Sequence, residues 1–220
     1  MSEPRVTIVL DEPCIALREA LAALAPVFVF RRQRGFLATP AVAAAAELAT
    51  ALRAGNVAAP FILVAASFGG FTALAYAARY AATLAGLVLV DSSHPGQGAA
   101  ALAAIPDSEG HAPAVGKFRA YLQGFGPVWT ESCEEIARIR TLGDVPMMVL
   151  AAGDPDVPVE LSEGTRTALT QSWHDLQRQL ANLSTRAELR IVPRAGHNIV
   201  ATAPEVIIAA VSELLRRDNW

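Results

Sequence analysis

The chain has 220 residues, of which 53% are hydrophobic and 18% are charged, and its formal net charge is −3. This composition excludes a disordered chain and is typical of a globular protein that buries one sizeable core. The negative charge, together with the lack of any basic cluster longer than residues 31–34, argues against a nucleic-acid-binding protein.

The apolar runs and the two cysteines indicate where in the cell we expect the protein. No apolar run approaches the ~20 residues needed to cross a membrane, and the apolar stretch near the N-terminus is too short for a signal-peptide core. Cys14 and Cys133 are far apart and lack metal-ligand spacing, which predicts two free thiols in a reducing compartment. We expect a cytoplasmic protein without membrane association, and we predict neither a cofactor nor a metal.

The first half of the chain alternates between two kinds of segment. Apolar runs predict strands at residues 6–10, 27–30, 61–65 and 84–90. Helical periodicity predicts helices at residues 15–24, 41–54 and 71–80. Such alternation predicts an α/β fold in which a mostly parallel sheet carries helices on both faces.

The second half begins with a break in this pattern. Residues 92–128 hold many glycines, prolines and small side chains, which predicts an irregular insertion with two short helices. The alternation then returns, with predicted strands at 147–152 and 188–192 and predicted helices at 131–142, 162–183 and 204–217. We expect a single domain over residues 1–220, with a small lid insertion at about 95–128.

The candidate nucleophile is a serine at the apex of a sharp strand-to-helix turn. The predicted strand at 61–65 leads to Ser67, and Gly69 and Gly70 precede the helix. A serine hydroxyl becomes a useful nucleophile when it is exposed, has a base beside it and has hydrogen-bond donors near the developing oxyanion. This turn lifts Ser67 above the sheet and places the Phe68 N–H at a helix N-terminus. The simpler alternative is that Ser67 only caps the helix.

His197 is the candidate general base. It follows the last predicted strand, and Gly196 permits a turn that brings the loop back over the serine. The alternative is an ordinary surface histidine. The other histidines are weaker candidates, because His94 and His111 lie in or beside the irregular insertion and His174 lies inside a long predicted helix.

The candidate acid is a carboxylate that would orient the histidine. Three residues satisfy the chain order serine–acid–histidine: Asp91 ends the strand after the serine turn, and Asp154 and Asp156 follow the next strand. Ligands of open α/β sheets bind beyond the carboxyl ends of the strands, and all three aspartates lie at that edge. Each could also be a turn or capping residue.

These motifs together resemble those of the α/β-hydrolase fold family. The serine turn resembles its nucleophile elbow, although Ala65 stands where the usual G-x-S-x-G has its first glycine and Ala66 stands where many relatives have histidine. The loop 31–36, the strand 86–91 and the Gly196-His197 pair also have counterparts. The resemblance covers nearly the whole chain and is to a compact bacterial serine hydrolase.

The resemblance also favours one of the three candidate acids. In the relatives that the chain resembles, a segment like that from Trp173 to Ser184 precedes the last strand, and many of these relatives lack an acid after the preceding strand. The resemblance therefore implies a triad of Ser67, Asp91 and His197. Asp156, which resembles a common G-x-x-D acid loop, and Asp154 remain the alternatives.

The loop after the first strand departs from the family pattern. Relatives usually have His-Gly there, where a backbone N–H completes the oxyanion hole, but this chain has Asp11-Glu12-Pro13-Cys14. Pro13 has no N–H, and two carboxylates nearby would oppose a developing negative charge. We assign one oxyanion donor to Phe68 and the second to the backbone of Glu12, with Cys14 as an alternative.

The motifs predict a serine hydrolase that acts on a small-molecule ester, thioester or lactone of a small, mostly apolar acid. Aromatic residues at the end of the insertion would either line its pocket or pack the lid onto the sheet edge: Phe118, Tyr121, Phe125 and Trp129. The alternative function is a weakened or non-hydrolytic member of the same fold that binds a ligand or supports another reaction. The altered elbow and the missing glycine motivate that alternative.

Overall fold

A computed structural model of the chain describes residues 6–32, 34, 38–109, 111, 113–123 and 126–217. Its strands form a parallel sheet in the order β2-β1-β3-β4-β5-β6. The strands are β1 (Thr7–Asp11), β2 (Val27–Phe30), β3 (Phe61–Ala66), β4 (Leu84–Val90), β5 (Met147–Ala152) and β6 (Ala187–Val192). This is the α/β architecture with a parallel sheet that the sequence predicts.

Helices connect these strands in chain order. They are α1 (Arg18–Ala22), α2 (Ala41–Ala54), α3 (Gly69–Tyr80), α4 (Gln97–Ala104), α5 (Pro113–Gln123), α6 (Gly126–Ala137), α7 (Glu163–Ala181), α8 (Ile199–Thr202) and α9 (Pro204–Leu215). Short 3₁₀ helices occupy Glu12–Leu17, Ala81–Thr83 and Asp107–Glu109.

The central strands are buried on both faces, and their sequences are therefore continuous apolar runs. In β3, the side chains of Phe61, Leu63 and Ala65 enter one hydrophobic core, whereas Ile62, Val64 and Ala66 enter the other. Helices α2, α3 and α6 contribute to the first core, and α1, α8 and α9 contribute to the second. The sheet is therefore sandwiched between two helical layers, as predicted.

Two predicted helices differ from the observed ones by more than two residues at an end. The helix predicted at 15–24 is a 3₁₀ helix over Glu12–Leu17 that continues into the short helix α1, because Pro13 starts the helical segment within its first turn. The helix predicted at 131–142 is α6, which begins earlier at Gly126 and ends at Ala137. Pro127 follows Gly126, and a proline fits the first turn of a helix.

The segment predicted as a lid holds the two short helices that the sequence predicts. It contains α4, a 3₁₀ helix and α5, which share a small core with α7 through Ile105, Val115 and Leu169. The Glu109 carboxylate ties this segment to the start of α7, since it accepts hydrogen bonds from Ser162 and Thr165. Phe125 lies outside the described residues, and the lid function of the segment stays a prediction.

The residues with reactive side chains lie at one edge of the sheet. Asp11, Ser67 and Asp91 stand at or just beyond the carboxyl ends of β1, β3 and β4, and His197 lies in the loop after β6. Within the described ranges, no cluster of three or more histidine, cysteine or carboxylate side chains could hold a metal ion. Among the same residues, no helix has the length and apolar character of a membrane span.

Candidate active site

Ser67 occupies a strained turn between β3 and α3. Its φ is 52°, a left-handed conformation that is uncommon for residues other than glycine. Backbone hydrogen bonds hold this conformation: the Ser67 N–H donates to the Val90 carbonyl at 3.1 Å, and the Ser67 carbonyl accepts from the Ser93 N–H at 3.0 Å. The candidate nucleophile is thus fixed to the end of the neighbouring strand β4.

The two glycines after Ser67 permit close packing at the start of α3. A Cβ added to Gly69 would lie 1.9 Å from Asp11 Oδ2, and one added to Gly70 would lie 2.3 Å from Ser92 Oγ. Neither distance is compatible with a side chain, so both positions need glycine. The turn is therefore built against the ends of two strands, β1 on one side and β4 on the other.

Three side chains form a hydrogen-bonded series at this turn. Ser67 Oγ lies 3.0 Å from His197 Nε2, and His197 Nδ1 lies 2.7 Å from Asp91 Oδ2. Asp91 is buried, with 1% of its surface exposed, whereas 46% of the His197 side chain is exposed. In this arrangement Nδ1 donates to the carboxylate and Nε2 accepts the serine proton, the geometry that a general base needs.

The negative charge beside His197 makes its imidazole more basic. The hydrogen bond with Asp91 raises the pKa of His197 above its ordinary value, and the charges of Asp91 and Asp156 raise it further, against the opposing effect of burial. The protonated imidazole, which forms when a histidine takes a proton from serine, is stabilised by the same interactions.

The other two candidate acids stand near the histidine without binding it. Asp154 and Asp156 are exposed, and neither makes a hydrogen bond with His197. Asp156 is the nearer, because a Cβ added to Gly196 would lie 2.8 Å from its Oδ1. The hydrogen-bonding geometry favours Asp91 over both alternatives.

Two donors that the sequence did not indicate hold the second oxygen of Asp91. Trp173 Nε1 donates to Asp91 Oδ1 at 2.8 Å, and the backbone N–H of Ala152 donates to the same oxygen at 2.7 Å. Trp173 lies on α7, 82 residues away in sequence. The signal available was an indole in a polar helix before the last strand, which does not by itself identify the acceptor.

The remaining histidines have other surroundings. Burial lowers the pKa of His94 to about 4, and its Nδ1 accepts a hydrogen bond from the Gly96 N–H. His174 Nε2 lies 2.9 Å from the Ala152 carbonyl, and His111 is exposed. Their contacts are consistent with structural roles for His94 and His174.

The loop after β1 differs from the sequence expectation in one respect. Asp11 is buried, and its two carboxylate oxygens lie 3.1 and 3.2 Å from Arg32 Nη2, which also donates to Thr72 Oγ1 at 3.0 Å. The Asp11 charge is therefore compensated by Arg32, which reduces the opposition to an oxyanion that the sequence predicts. Arg32 comes from the loop 31–36 that resembles the family pattern, and its side chain is fully buried.

The predicted oxyanion donors lie at two helix starts. Phe68 immediately precedes α3, and Glu12 is the first residue of the 3₁₀ helix in which Pro13 lies in the first turn. Both positions are compatible with a backbone N–H directed at an anion. Cys14 is buried and its thiol pKa is raised by that burial, so its side chain belongs to the core.

A cavity of about 560 Å³ opens at Ser67 and His197. Phe118, Tyr121 and Trp129 line it, as one of the two predicted alternatives requires. Trp129 also packs against the rings of Phe68 and Phe71, with centroid distances of 5.7 and 5.3 Å. The described side chains that line this cavity include two carboxylates, those of Asp91 and Asp156, and no lysine or arginine.

Comparison with known sequences identifies the family. The sequence model of the alpha/beta hydrolase family matches residues 14–210. The chain belongs to the alpha/beta hydrolase family. A curated relative, the uncharacterized protein YqjL of Bacillus subtilis (strain 168), is 24% identical over 169 residues, which are 76% of this chain and 62% of that protein. The chain thus matches about three-fifths of the length of this relative.

Solved structures share the family fold. A thermophilic esterase from Thermogutta terrifontis has a TM-score of 0.60 and 20% identity, with 96% of this chain and 90% of that chain covered. A bromoperoxidase from Bacillus anthracis has a TM-score of 0.61 and 12% identity, with coverages of 97% and 92%. At these identities the likeness establishes the fold.

Proposed function

We propose that this alpha/beta hydrolase is a serine hydrolase that cleaves carboxylic esters, thioesters or lactones of small apolar acids. The observation that carries the proposal is the series Ser67 Oγ, His197 and Asp91, joined at 3.0 and 2.7 Å at the floor of a mostly apolar cavity. A nucleophile beside a base that a buried carboxylate orients is the arrangement used for acyl transfer.

The first half of the proposed reaction acylates Ser67. Its Oγ attacks the substrate carbonyl carbon while His197 Nε2 takes the hydroxyl proton, and Asp91 stabilises the imidazolium that forms. When the tetrahedral intermediate collapses, the bond to the leaving oxygen or sulfur breaks and His197 returns its proton to that atom. The products are an acyl ester on Ser67 and a free alcohol or thiol; a lactone yields one acyl chain that carries a hydroxyl.

The second half releases the acid. His197 takes a proton from water, the resulting hydroxide attacks the acyl carbon, and the proton passes to Ser67 Oγ as the acyl–serine bond breaks. The proposed oxyanion donors for both halves are the backbone N–H groups of Phe68 and Glu12. Removal of a single such donor costs about 10²–10³ in rate in a well-studied serine hydrolase, so the efficiency of this chain depends on the loop after β1.

The cavity supports the proposed substrate class. Its walls include the apolar side chains of Phe118, Leu122, Trp129 and Leu169, which suit an acyl chain, and its volume suits a small substrate. The helices between residues 95 and 128 carry part of this wall, and we propose that they act as the lid. Esterase activity is known for one structural relative of the same fold, which agrees with this substrate class.

A second candidate function is ligand binding without efficient hydrolysis. The observation that favours it is the loop after β1, where Pro13 cannot donate a hydrogen bond near the start of the 3₁₀ helix. In that case the same cavity would hold a small apolar ligand and Ser67 would not become acylated.

A fluorophosphonate probe separates the two functions, because it forms a covalent adduct only with an activated serine. We expect stoichiometric labelling, with the adduct located on Ser67 by peptide mass mapping and lost in Ser67→Ala. Ser93→Ala is the matched control, since Ser93 also lines the cavity. Labelling that is absent in the folded wild type, or that maps to Ser93, would exclude the proposed function.

A further inference from the structure

The carboxylate of Asp91 is held by more than the histidine. Oδ2 faces His197 Nδ1, while Oδ1 accepts from both the Trp173 indole and the Ala152 backbone N–H, at 2.8 and 2.7 Å. With Oδ1 fixed by two donors in nearly complete burial, rotation of the carboxylate would break good hydrogen bonds. The orientation of Oδ2 toward the histidine is thereby set from the opposite side.

Helix α7 supplies three of the side-chain contacts around Asp91. From α7, Trp173 reaches Asp91 itself, His174 lies 2.9 Å from the carbonyl of Ala152, and Gln177 Nε2 donates to the carbonyl of Ser92 at 2.7 Å. These contacts fix the acid, the strand end that helps to bind it and the residue that follows it. Trp173 and Gln177 are four residues apart and therefore lie on one face of the helix.

The backbone at Asp91 shows why such support is needed. Its φ is 41°, in the left-handed region that costs free energy for a residue with a side chain, so the surrounding contacts must hold it there. The Asp91 N–H donates to the Leu150 carbonyl at 2.7 Å. Backbone contacts fix the main chain at this turn, and Trp173 is the described side chain besides His197 that fixes the carboxylate.

We propose that Trp173 is a positioning residue, whose indole N–H holds the Asp91 carboxylate in the orientation that aligns His197 with Ser67. This inference rests on the proposed serine-hydrolase function and adds to it a residue outside the triad. Trp173 also lines the cavity, beside Asp91, while its N–H orients the acid. The same helix thus couples the substrate wall to the geometry of the triad.

The test compares two substitutions that differ in the N–H. Trp173→Phe keeps an aromatic ring and removes the donor, whereas Trp173→His keeps a ring N–H at a position that overlays the indole nitrogen. The measurements are kcat, KM and the pH profile of kcat/KM with p-nitrophenyl acetate. Leu169→Ala is the matched control, because Leu169 lines the same cavity from the same helix without contacting Asp91.

We expect Trp173→Phe to lower kcat by about 10- to 100-fold, the size expected for loss of a hydrogen bond to a charged group, with a small change in KM. The acidic limb of its pH profile should move to higher pH, because a carboxylate with one donor fewer binds the imidazolium more tightly. Trp173→His should recover most of kcat. Leu169→Ala should change KM and leave the acidic limb in place.

Two results would overturn the inference. One is a Trp173→Phe variant with wild-type kcat and pH profile. The other is an equal loss in the Phe and His variants with an unshifted acidic limb, which is the behaviour of a purely structural residue. An inactive wild type that the fluorophosphonate fails to label would instead reject the proposed function.

A measurement on the wild-type protein tests the inference without a variant and without enzymatic activity. The Trp173 indole N–H should exchange slowly with solvent deuterium in the NMR spectrum, because it is bound to a buried carboxylate. Fast exchange of that N–H would contradict the inference.

Discussion

The two sides of the candidate site are built differently. On the acid side, Asp91 accepts hydrogen bonds from His197, Trp173 and Ala152, so the carboxylate is fully engaged in aligning the base. On the oxyanion side, the loop after β1 buries an ion pair between Asp11 and Arg32 and then continues through Pro13. Under the proposed function, proton transfer and oxyanion stabilisation therefore depend on separate strand ends, which substitutions can change one at a time.

The difference also concerns charge. Near His197, negative charge is useful because it stabilises the imidazolium. Beside Phe68, negative charge would oppose the reaction, and the guanidinium of Arg32 compensates the carboxylate that lies against Gly69. The chain therefore has a buried carboxylate at the ends of both β1 and β4: Asp11 pairs with Arg32, and Asp91 contacts His197.

The largest expected effect on kcat comes from replacing the candidate acid. Asp91→Asn should lower kcat by about 10⁴, because an amide can stabilise the wrong histidine tautomer. Asp154→Asn and Asp156→Asn are the matched controls, and we expect each to lose less than about tenfold. Steady-state kinetics on a p-nitrophenyl ester measure all three. A severe loss in Asp156→Asn with mild loss in Asp91→Asn would place the acid after β5 instead.

The next largest effect is on stability and comes from breaking the ion pair between Asp11 and Arg32. Arg32→Met should lower the free energy of unfolding by about 3–5 kcal/mol, because it breaks a buried ion pair by removing the guanidinium that lies against Asp11. The double substitution Asp11→Leu with Arg32→Met should recover part of that loss. Urea denaturation of both variants and of Asp11→Leu measures this coupling, and strictly additive losses would show that the pair does not act as a unit.

A third prediction sharpens the role of the loop after β1 by separating hydrogen bonding from charge. Pro13→Ala adds a backbone N–H, and Glu12→Gly removes a carboxylate. If the loop lacks a donor, Pro13→Ala should raise kcat by up to about 10²-fold with little change in KM, since a new donor acts on the transition state. Glu12→Gly should change kcat less. An unchanged or lower kcat in folded Pro13→Ala would show that no donor is missing at position 13, which is the result expected if the Glu12 N–H already serves as the second donor.

The smallest expected effect concerns the pH dependence of the acid side. His197 acts as a base only when neutral, and its pKa is raised, so kcat/KM should fall as the pH decreases through a midpoint above 6.5. Asp156→Asn removes one negative charge beside the imidazole and should move this midpoint to lower pH by less than about one unit. A midpoint that moves upward in Asp156→Asn would contradict the assigned electrostatics.

Much of the fold could be predicted from the sequence, because strands buried on both faces appear as apolar runs. Strands β2, β4 and β5 begin and end where the sequence predicts, and the other three differ by one residue at one or both ends. The α6 boundaries were harder, since Gly126 and Pro127 resemble the preceding irregular segment and yet start the helix. Helix ends depend on such local details more than on periodicity.

The site could be predicted in part, because Ser67, Asp91 and His197 stand at motif positions along the chain. The residues that support them could not, since their partners are chosen by the tertiary arrangement. Trp173 contacts Asp91 across 82 residues, and Arg32 contacts Asp11 across 21. Sequence patterns identify chemistry at strand ends, but they do not show which buried donors and cations complete it.

The most direct test of the proposed chemistry is detection of the acyl-enzyme. The protein is mixed with p-nitrophenyl acetate or butyrate, quenched in acid during turnover and analysed by intact and peptide mass spectrometry. We predict a mass increase equal to one acyl group, located on Ser67 and absent in Ser67→Ala. Ester hydrolysis that continues in Ser67→Ala, or an acyl group on another residue, would contradict the serine mechanism.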